Sequence, residues 1–371
     1  MRLVAYLDAL GLPVGGVLLG NRVVTLELLA ESAGLREELA LLDPRGLLAE
    51  DEGLVETRAA FERATRDGLA GVPAAALRLT APLEPGKIVC VGHNYAGHVR
   101  EQGLPLPTRP LLFAKFANAV VGDGEPVIRP ATTHALDLEA ELAVVIGRRA
   151  RRVTTAQALA HVVAYAAAND ISARDLQGSK PALREGERGD GQWLRAKGSD
   201  TFLPLGPCLV TADEVGDPGD LAVRGYHTPA AGPGAGREVR VQDGRTSDMV
   251  FDVAELLAFV SASITLEPGD VVITGTPSGV GVFRDPPVFL EPGDLVRVEV
   301  ERIGSVSNPI VDADGSTPEG SPAARLLAAR RGRHAGSDPD GAESGDDRRS
   351  GLMAGVSGLM AGHGPSGAES A

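Results

Sequence analysis

The chain has 371 residues, of which 43% are hydrophobic, and a formal net charge of −14. This length and apolar content suffice for one large domain or two ordinary domains with a sizeable core. The acidic balance argues against a basic nucleic-acid surface. No segment has the length and hydropathy of a membrane span, and residues 1–30 lack a secretory signal pattern. We therefore expect a soluble, cytoplasmic protein with no nucleic-acid or membrane partner.

Three short strand patterns open the chain: RLVAYL, VGGVLL and RVVTL. They are followed by a helix-prone stretch from Leu35 to Ala70 and by a turn rich in proline and glycine at residues 80–87. Because such turns are common between domains, we expect a small N-terminal domain over residues 1–80.

Strand patterns alternate with turns from residue 81 to residue 314, which predicts a mixed, β-rich domain with few helices. Helical periodicity recurs over residues 154–170 and over residues 252–269. After this domain the composition shifts to Gly, Ser, Ala and Asp without a sustained period. That shift predicts a disordered tail over residues 315–371, with at most a short helix from Pro322 to Arg331.

The segment LDLEAELAVVIG, residues 136–147, places Asp137, Glu139 and Glu141 at alternate positions of an apolar run. In a strand these carboxylates share one face, where burial and mutual repulsion raise their pKa values. A hard divalent cation, above all Mg²⁺, would neutralise them, since such ions take carboxylate oxygens as ligands. Asp170 is available as a third ligand. The alternatives are a solvent-facing edge strand and, for Asp170, a turn or cap residue.

A possible general base and its carboxylate partner lie in VCVGHNYAGHVREQG, residues 89–103. His98 and Glu101 are three residues apart, so on a helical turn they share a face. A histidine held by a carboxylate is a general base near neutral pH, although an ordinary loop histidine is the commoner case.

Two further segments carry polar groups that fit a substrate site. Lys197, one of only four lysines in the chain, lies in QWLRAKGSDTF. A glycine-rich turn, ITGTPSGVG at residues 273–281, offers backbone amides and the Thr276 hydroxyl to a carboxylate. The turn lacks the spacing of a phosphate-binding loop.

These segments occur in the same order in the fumarylacetoacetate hydrolase family, together with NDISARDLQ, QDGRTSDMVF and LEPGDVVITGTPSGVG. The chain therefore resembles that family over roughly residues 85–311, and in particular its bacterial acylpyruvase and 2-hydroxyhepta-2,4-diene-1,7-dioate isomerase-like members. The resemblance implies a mixed α+β, β-rich fold: a β-roll preceded by a small N-terminal α/β domain. It also implies a homodimer.

The resemblance assigns roles to the candidate residues. Glu139, Glu141 and Asp170 would bind Mg²⁺, or alternatively Mn²⁺ or Ca²⁺. His98 and Glu101 would form a catalytic dyad on a short lid, with His98 as the base. The other implied site residues are the catalytic Lys197 and the substrate-binding Arg174, Gln177, Gly275 and Thr276.

The activity implied by the resemblance is hydrolysis of a C–C bond in acylpyruvate- or fumarylacetoacetate-type 2,4-dioxo acids through a metal-stabilised enolate. A second possibility is a 2-oxo acid decarboxylase or isomerase of aromatic-acid catabolism, of the 2-hydroxyhepta-2,4-diene-1,7-dioate type. A third is a metal-binding scaffold without catalysis. The His98–Glu101 dyad argues against the scaffold, because a protein without catalytic activity does not need a general base.

Overall fold

The computed structural model describes residues 1–50, 52–189 and 191–335. Residues 336–371, which include most of the predicted tail, lie outside the described residues. The N-terminal segment alternates short strands with four helices, of which α1 is capped by the Thr25 hydroxyl. Its elements are β1 (Arg2–Leu7), β2 (Pro13–Leu19), β3 (Arg22–Thr25), α1 (Leu26–Ala33), α2 (Glu37–Ala40), α3 (Pro44–Ala49), α4 (Gly53–Arg66), β4 (Val72–Pro73) and β5 (Arg78–Thr80).

The rest of the described chain is dominated by strands. None of its helices, nor those of the N-terminal segment, is long and apolar enough to cross a membrane. Its first elements are β6 (Ile88–Gly92), α5 (Ala96–Glu101), β7 (Leu111–Lys115), β8 (Val120–Val121), β9 (Val127–Ile128), β10 (Leu136–Asp137), β11 (Ala140–Ile146), α6 (Thr155–Ala158), β12 (Val162–Asn169), β13 (Ser172–Ala173) and α7 (Arg174–Gln177). The later elements are α8 (Trp193–Gly198), β14 (Leu203–Thr211), α9 (Ala212–Val215), β15 (Ala222–Thr228), β16 (Val239–Arg245), α10 (Val253–Ser261), β17 (Val271–Ile273), β18 (Leu295–Val300), β19 (Gly304–Val311) and α11 (Pro322–Ala335).

Most of the strands form one large sheet with the order β4-β3-β2-β1-β14-β12-β11-β17-β6-β7. The antiparallel pairing of β1 with β14 joins the N-terminal strands to this sheet. A second sheet has the order β16-β15-β18-β19-β9, and β10 pairs with β13 alone. This architecture confirms the predicted mixed α+β, β-rich fold class.

Strands β11 and β12 form the centre of the large sheet. One predicted helix is wrong, because about half of its residues belong to strand β12. Periodicity predicted a helix over residues 154–170, but only Thr155–Ala158 is α-helical, and Val162–Asn169 is a strand. This strand pairs with β11 on one side and β14 on the other, and nearly all of its residues are buried. A run of small apolar residues that is buried on both faces carries no alternation, so its pattern resembles that of a helix.

The second predicted helix of the domain is confirmed in its first part as α10, which ends at Ser261 rather than at residue 269. Its first turn is closed by a capping box, in which Asp252 accepts the N–H of Glu255 (2.8 Å) and the Glu255 side chain accepts the N–H of Asp252 (2.9 Å). This reciprocal pair satisfies two backbone donors that would otherwise lack a helical partner.

The ordered chain continues beyond Asp314, where composition predicted the start of a disordered tail. The first turn of helix α11 contains a buried Ala323, whose N–H donates to the carbonyl of Gly293 (3.1 Å). Near its other end, Arg330 donates to the carbonyl of Leu79 (2.8 Å). The prediction of disorder is corrected for this stretch, because a few specific contacts hold a segment that is too small and polar to form a core of its own.

Candidate active site

The acidic segment forms two strands, with Glu139 at the break between them. The N–H of Glu139 donates to the side-chain oxygen of Asn169 (3.0 Å), and its carbonyl accepts the N–H of Asp170 (2.9 Å). In the adjoining strand β11, Glu141 lies opposite Ala168 of β12. The ends of β11 and β12 therefore meet at the two glutamates and the aspartate.

The three predicted metal ligands come together in the interior of the protein. Glu139, Glu141 and Asp170 are all buried, and one carboxylate oxygen from each lies within 4.8 Å of the others. They do not form the solvent-facing edge that was the alternative. Two glutamates and one aspartate are a donor set that hard divalent cations prefer, so the triad could hold such an ion.

The electrostatics of the triad are uneven. Burial, together with the charges of Asp170 and Glu139, raises the pKa of Glu141 well above its ordinary value. Burial would also raise the pKa of Glu139, but Arg174 and Lys197 outweigh it and hold that pKa below its ordinary value. The negative charge at Glu141 is therefore the least compensated by the protein, and a divalent cation would supply what is missing.

Two predicted site residues neutralise the rest of the triad. The ammonium of Lys197 donates to Glu139 Oε2 (2.6 Å) and Asp170 Oδ2 (2.8 Å). Arg174 donates to Glu139 Oε1 (2.5 Å) and to Gln177 Oε1 (3.1 Å). These five side chains are thus linked in one network, and the predicted roles of Arg174 and Gln177 in substrate binding stay predictions.

A second buried lysine, Lys115, contacts Asp170 of the triad. Lys115 is fully buried, and its Nζ lies 2.8 Å from Asp170 Oδ1. It also donates to the carbonyls of Ile171 (3.0 Å), Phe202 (2.8 Å) and Lys197. Lys115 therefore fixes the position of Asp170 and the backbone of Lys197 together.

The predicted pair of His98 and Glu101 lies on helix α5. His98 Nδ1 lies 2.5 Å from Glu101 Oε1, as the spacing of three residues predicted. The other carboxylate oxygen of Glu101 accepts the N–H of Gly279 (2.9 Å). Gly97 allows this close packing, since a Cβ there would lie 3.1 Å from the Ser278 hydroxyl. Because Nδ1 is held by Glu101, Nε2 is the ring nitrogen left for the cavity.

The glycine-rich turn after β17 is bonded mainly to the protein itself. The N–H of Gly275 donates to Glu141 Oε2 (2.6 Å), and the Thr276 hydroxyl donates to the carbonyl of Ala140 (3.0 Å). Gln242 holds both sides of this contact, since its Nε2 donates to Thr276 Oγ1 (2.8 Å) and its Oε1 accepts the N–H of Ala140 (2.9 Å). The predicted contact of Thr276 and Gly275 with a substrate carboxylate stays a prediction.

Asp137, the third acidic residue of the segment, does not join the triad. Its carboxylate accepts the N–H groups of Gly281 (2.8 Å) and Val282 (3.1 Å) and the Nε–H of Arg174 (2.9 Å). Asp137 therefore ties the glycine-rich turn to the arginine that holds Glu139. The break between β10 and β11 separates it from the other two carboxylates.

These groups surround a cavity of about 260 Å³. One part of its wall is charged and contains Glu139, Glu141, Lys197 and His98. Another part is aromatic: Phe113 and Trp193 pack edge to face at 5.4 Å, and the Phe283 ring lies 6.0 Å from His98. The cavity therefore combines a polar reaction centre with apolar walls, as small-molecule sites commonly do.

Some residues of this site have no role in the sequence-based prediction. Lys115 had one signal, its rarity as a lysine among many arginines. Gln242 lies in a segment that carries the resemblance, but nothing in its sequence surroundings indicates its contacts. The cavity residues that were missed include His93, Gln102, Phe113, Trp193 and Phe283.

The fold and the site are those of a known enzyme family. Residues 87–311 match the family model of the fumarylacetoacetate (FAA) hydrolase C-terminal domain. The chain belongs to the fumarylacetoacetate hydrolase family, as the sequence motifs predicted.

Among the curated relatives are mitochondrial oxaloacetate tautomerases. The chain is 44% identical over 236 residues to the oxaloacetate tautomerase fahd2 of Xenopus laevis, covering 63% of this chain and 69% of that protein. It is 43% identical over 256 residues to the oxaloacetate tautomerase FAHD2A of Homo sapiens, covering 69% of this chain and 76% of that protein.

Solved structures of two further enzymes are similar. The 2-hydroxyhepta-2,4-diene-1,7-dioate isomerase from Mycobacterium marinum is 34% identical, with a TM-score of 0.58 over 84% of this chain and 98% of that one. The maleylpyruvate hydrolase from Sphingobium sp. SYK-6 is 30% identical, with a TM-score of 0.64 over 84% of this chain and 100% of that one. The relatives thus include tautomerases, isomerases and hydrolases.

Proposed function

We propose that the protein is a divalent-metal-dependent tautomerase or isomerase of 2-oxo acids, with oxaloacetate as the first substrate to test. The observation that carries this proposal is that His98, which Glu101 holds, lines the same cavity as Glu139 and Glu141 of the acidic triad. Interconversion of the keto and enol forms moves one proton between C3 and the oxygen on C2 and consumes no water. A base beside a polarised 2-oxo group is what this proton transfer needs.

The chain's own residues would divide the work. His98 Nε2 takes the proton from C3 and delivers it to the oxygen on C2, or carries it in the opposite direction for ketonisation, while Glu101 fixes the ring and stabilises its protonated form. Lys197 places a positive charge at the cavity wall, which favours negative charge on the substrate oxygen. Glu139, Glu141 and Asp170 would hold a divalent ion, Mg²⁺ in the first instance and otherwise Mn²⁺ or Ca²⁺, which would supply Lewis-acid polarisation of the 2-oxo group.

The relatives named oxaloacetate tautomerase and 2-hydroxyhepta-2,4-diene-1,7-dioate isomerase support this proposal, since both names describe a rearrangement of the substrate without C–C bond cleavage. A second candidate is hydrolysis of a C–C bond in acylpyruvate- or fumarylacetoacetate-type acids. The same His98–Glu101 dyad could activate a water molecule. The similarity to a maleylpyruvate hydrolase also supports hydrolysis as the second candidate.

The test uses the full chain with Mg²⁺ and two kinds of substrate. Enol-oxaloacetate is followed by its loss of ultraviolet absorbance, and an acylpyruvate is followed by release of pyruvate. We expect faster ketonisation of oxaloacetate with no new product, lost in His98→Gln and kept in the remote control His161→Gln. Stoichiometric pyruvate release with a higher kcat/KM than ketonisation would replace the first candidate by the second.

A further inference from the structure

His93 has an unusual backbone conformation at the edge of the cavity. It directly follows strand β6 and has a φ of +56°, a value that non-glycine residues rarely adopt. Its side chain is partly buried and lines the cavity. Residues held in such conformations are concentrated at binding and catalytic sites.

The neighbouring residue holds His93 in this conformation. The Asn94 side chain donates to the carbonyls of Phe251 (3.0 Å) and Thr274 (2.8 Å) and accepts the N–H of Phe251 (3.0 Å). Asn94 is buried, so these bonds are shielded from water. The direction in which His93 enters the cavity is therefore set by contacts with residues 251 and 274 rather than by helix α5.

The charges around the cavity distinguish His93 from the other basic residues. Arg174 and Lys197 each bond two carboxylates of the protein, and His98 bonds Glu101. The side-chain partner of His93 is the uncharged amide of Gln102. Among the described residues that line the cavity, His93 is thus the basic side chain that makes no salt bridge with a protein carboxylate, although the negative charge of Glu139 acts on it.

We infer that His93, supported by Gln102, is the subsite for a second carboxylate at the end of the substrate remote from the triad. This inference rests on the proposed function and narrows its substrates to 2-oxo dicarboxylic acids. A substrate carboxylate in an enclosed site needs a donor of positive charge, and His93 is placed to provide it. The His93 and His98 rings lie 6.4 Å apart, so a substrate anchored at His93 would present its intervening carbon to His98.

Binding can be measured without turnover, because Trp193 is the single tryptophan of the chain and lines the cavity. The Mg²⁺-loaded protein would be titrated with oxaloacetate and with 2-oxobutyrate, which has a methyl group in place of the second carboxylate. Tryptophan fluorescence reports both dissociation constants. His93→Asn suits the left-handed backbone and removes the imidazole, and His93→Gly serves as a second variant with the same tolerance.

We expect His93→Asn to weaken oxaloacetate binding about 10- to 100-fold, the usual effect of losing a hydrogen bond to a charged group. Binding of 2-oxobutyrate should change less than about twofold on the same argument. The control His161→Asn should leave both constants unchanged. Equal weakening of both ligands, or no change in either, would overturn the inference.

The outcome also separates this inference from the proposed function. If oxaloacetate binding depends on His93 while the protein fails to accelerate ketonisation, the subsite stands and the proposed function fails. If the protein accelerates ketonisation while the two ligands respond equally to His93→Asn, the proposed function stands and the subsite fails.

Discussion

Lys115 Nζ lies 2.8 Å from Asp170 Oδ1, and both side chains are completely removed from solvent. Desolvation opposes a charged lysine at this depth, and Asp170 favours it. The ammonium group also donates to three backbone carbonyls, including that of Lys197. The buried Lys115 ammonium therefore fixes both the Asp170 side chain, a candidate metal ligand, and the backbone of Lys197, the second lysine that contacts Asp170.

Replacing Lys115 by Met should destabilise the protein strongly. The change leaves Asp170 without one of its two cations and three buried carbonyls without their donor, which we expect to cost about 3–5 kcal/mol. The matched control is Lys87→Met. Lys87 is partly exposed, and its partner Asp270 keeps two backbone donors, so the cost should stay below about 1 kcal/mol. Denaturant unfolding measures both values, and similar losses would show that the Lys115 cage has no special role.

The parts of the site that could be predicted from the sequence are those set by local spacing. The pairing of His98 with Glu101 follows from a separation of three residues on one helical turn. The proximity of Glu139 to Glu141 follows from alternation in an extended segment. Asp170 joined them through the recognised order of motifs, since nothing local brings a residue some thirty positions away to the same point.

Other parts could not be predicted because they depend on tertiary contacts. The strand Val162–Asn169 has a helical pattern only because it is buried on both faces between two other strands. The break that turns Asp137 away from the triad depends on bonds to Gly281 and Arg174. The strained backbone of His93 likewise depends on the remote partners of Asn94.

Glu139 and Glu141 should respond in opposite ways to replacement by Gln in the absence of divalent ions. The raised pKa of Glu141 means that its contribution to stability is present at low pH and is lost as the pH rises. Glu141→Gln should therefore raise the melting temperature at pH 8 in chelator and leave it unchanged near pH 4. The lowered pKa of Glu139 has the opposite consequence, so Glu139→Gln should lower the melting temperature at pH 8.

The same two variants test the metal site. Adding Mg²⁺ to the unaltered protein should raise its melting temperature, because a ligand that binds only the folded state stabilises it. Both variants should lose most of that increase, since each removes one charged ligand. If Glu141→Gln kept the full increase, Glu141 would not be a metal ligand.

Glu101→Gln should be nearly as damaging as loss of the histidine. The Glu101 carboxylate accepts from both His98 Nδ1 and the N–H of Gly279. A Gln side chain that accepts from Gly279 must turn its NH₂ to Nδ1, which places the ring proton on Nε2 and removes the base. We expect a loss in kcat of about 10²-fold or more, within the range for general bases. A loss below about fivefold would contradict this account of the pair, since it lies outside that range.

The preference for a second carboxylate should increase as the pH falls, because of His93. Burial and the neighbouring His98 lower the pKa of His93, so in the free protein its ring takes up a proton less readily than an ordinary histidine does. A bound carboxylate favours the charged ring and raises that pKa, so binding of a dicarboxylate takes up a proton. The ratio of the 2-oxobutyrate to the oxaloacetate dissociation constant should therefore rise between pH 8 and pH 6, by at most about tenfold per pH unit. Using the ratio cancels pH effects on the metal and on His98, which both ligands share. In His93→Asn the ratio should be flat across this range, and a ratio that kept its slope would assign the proton to another group.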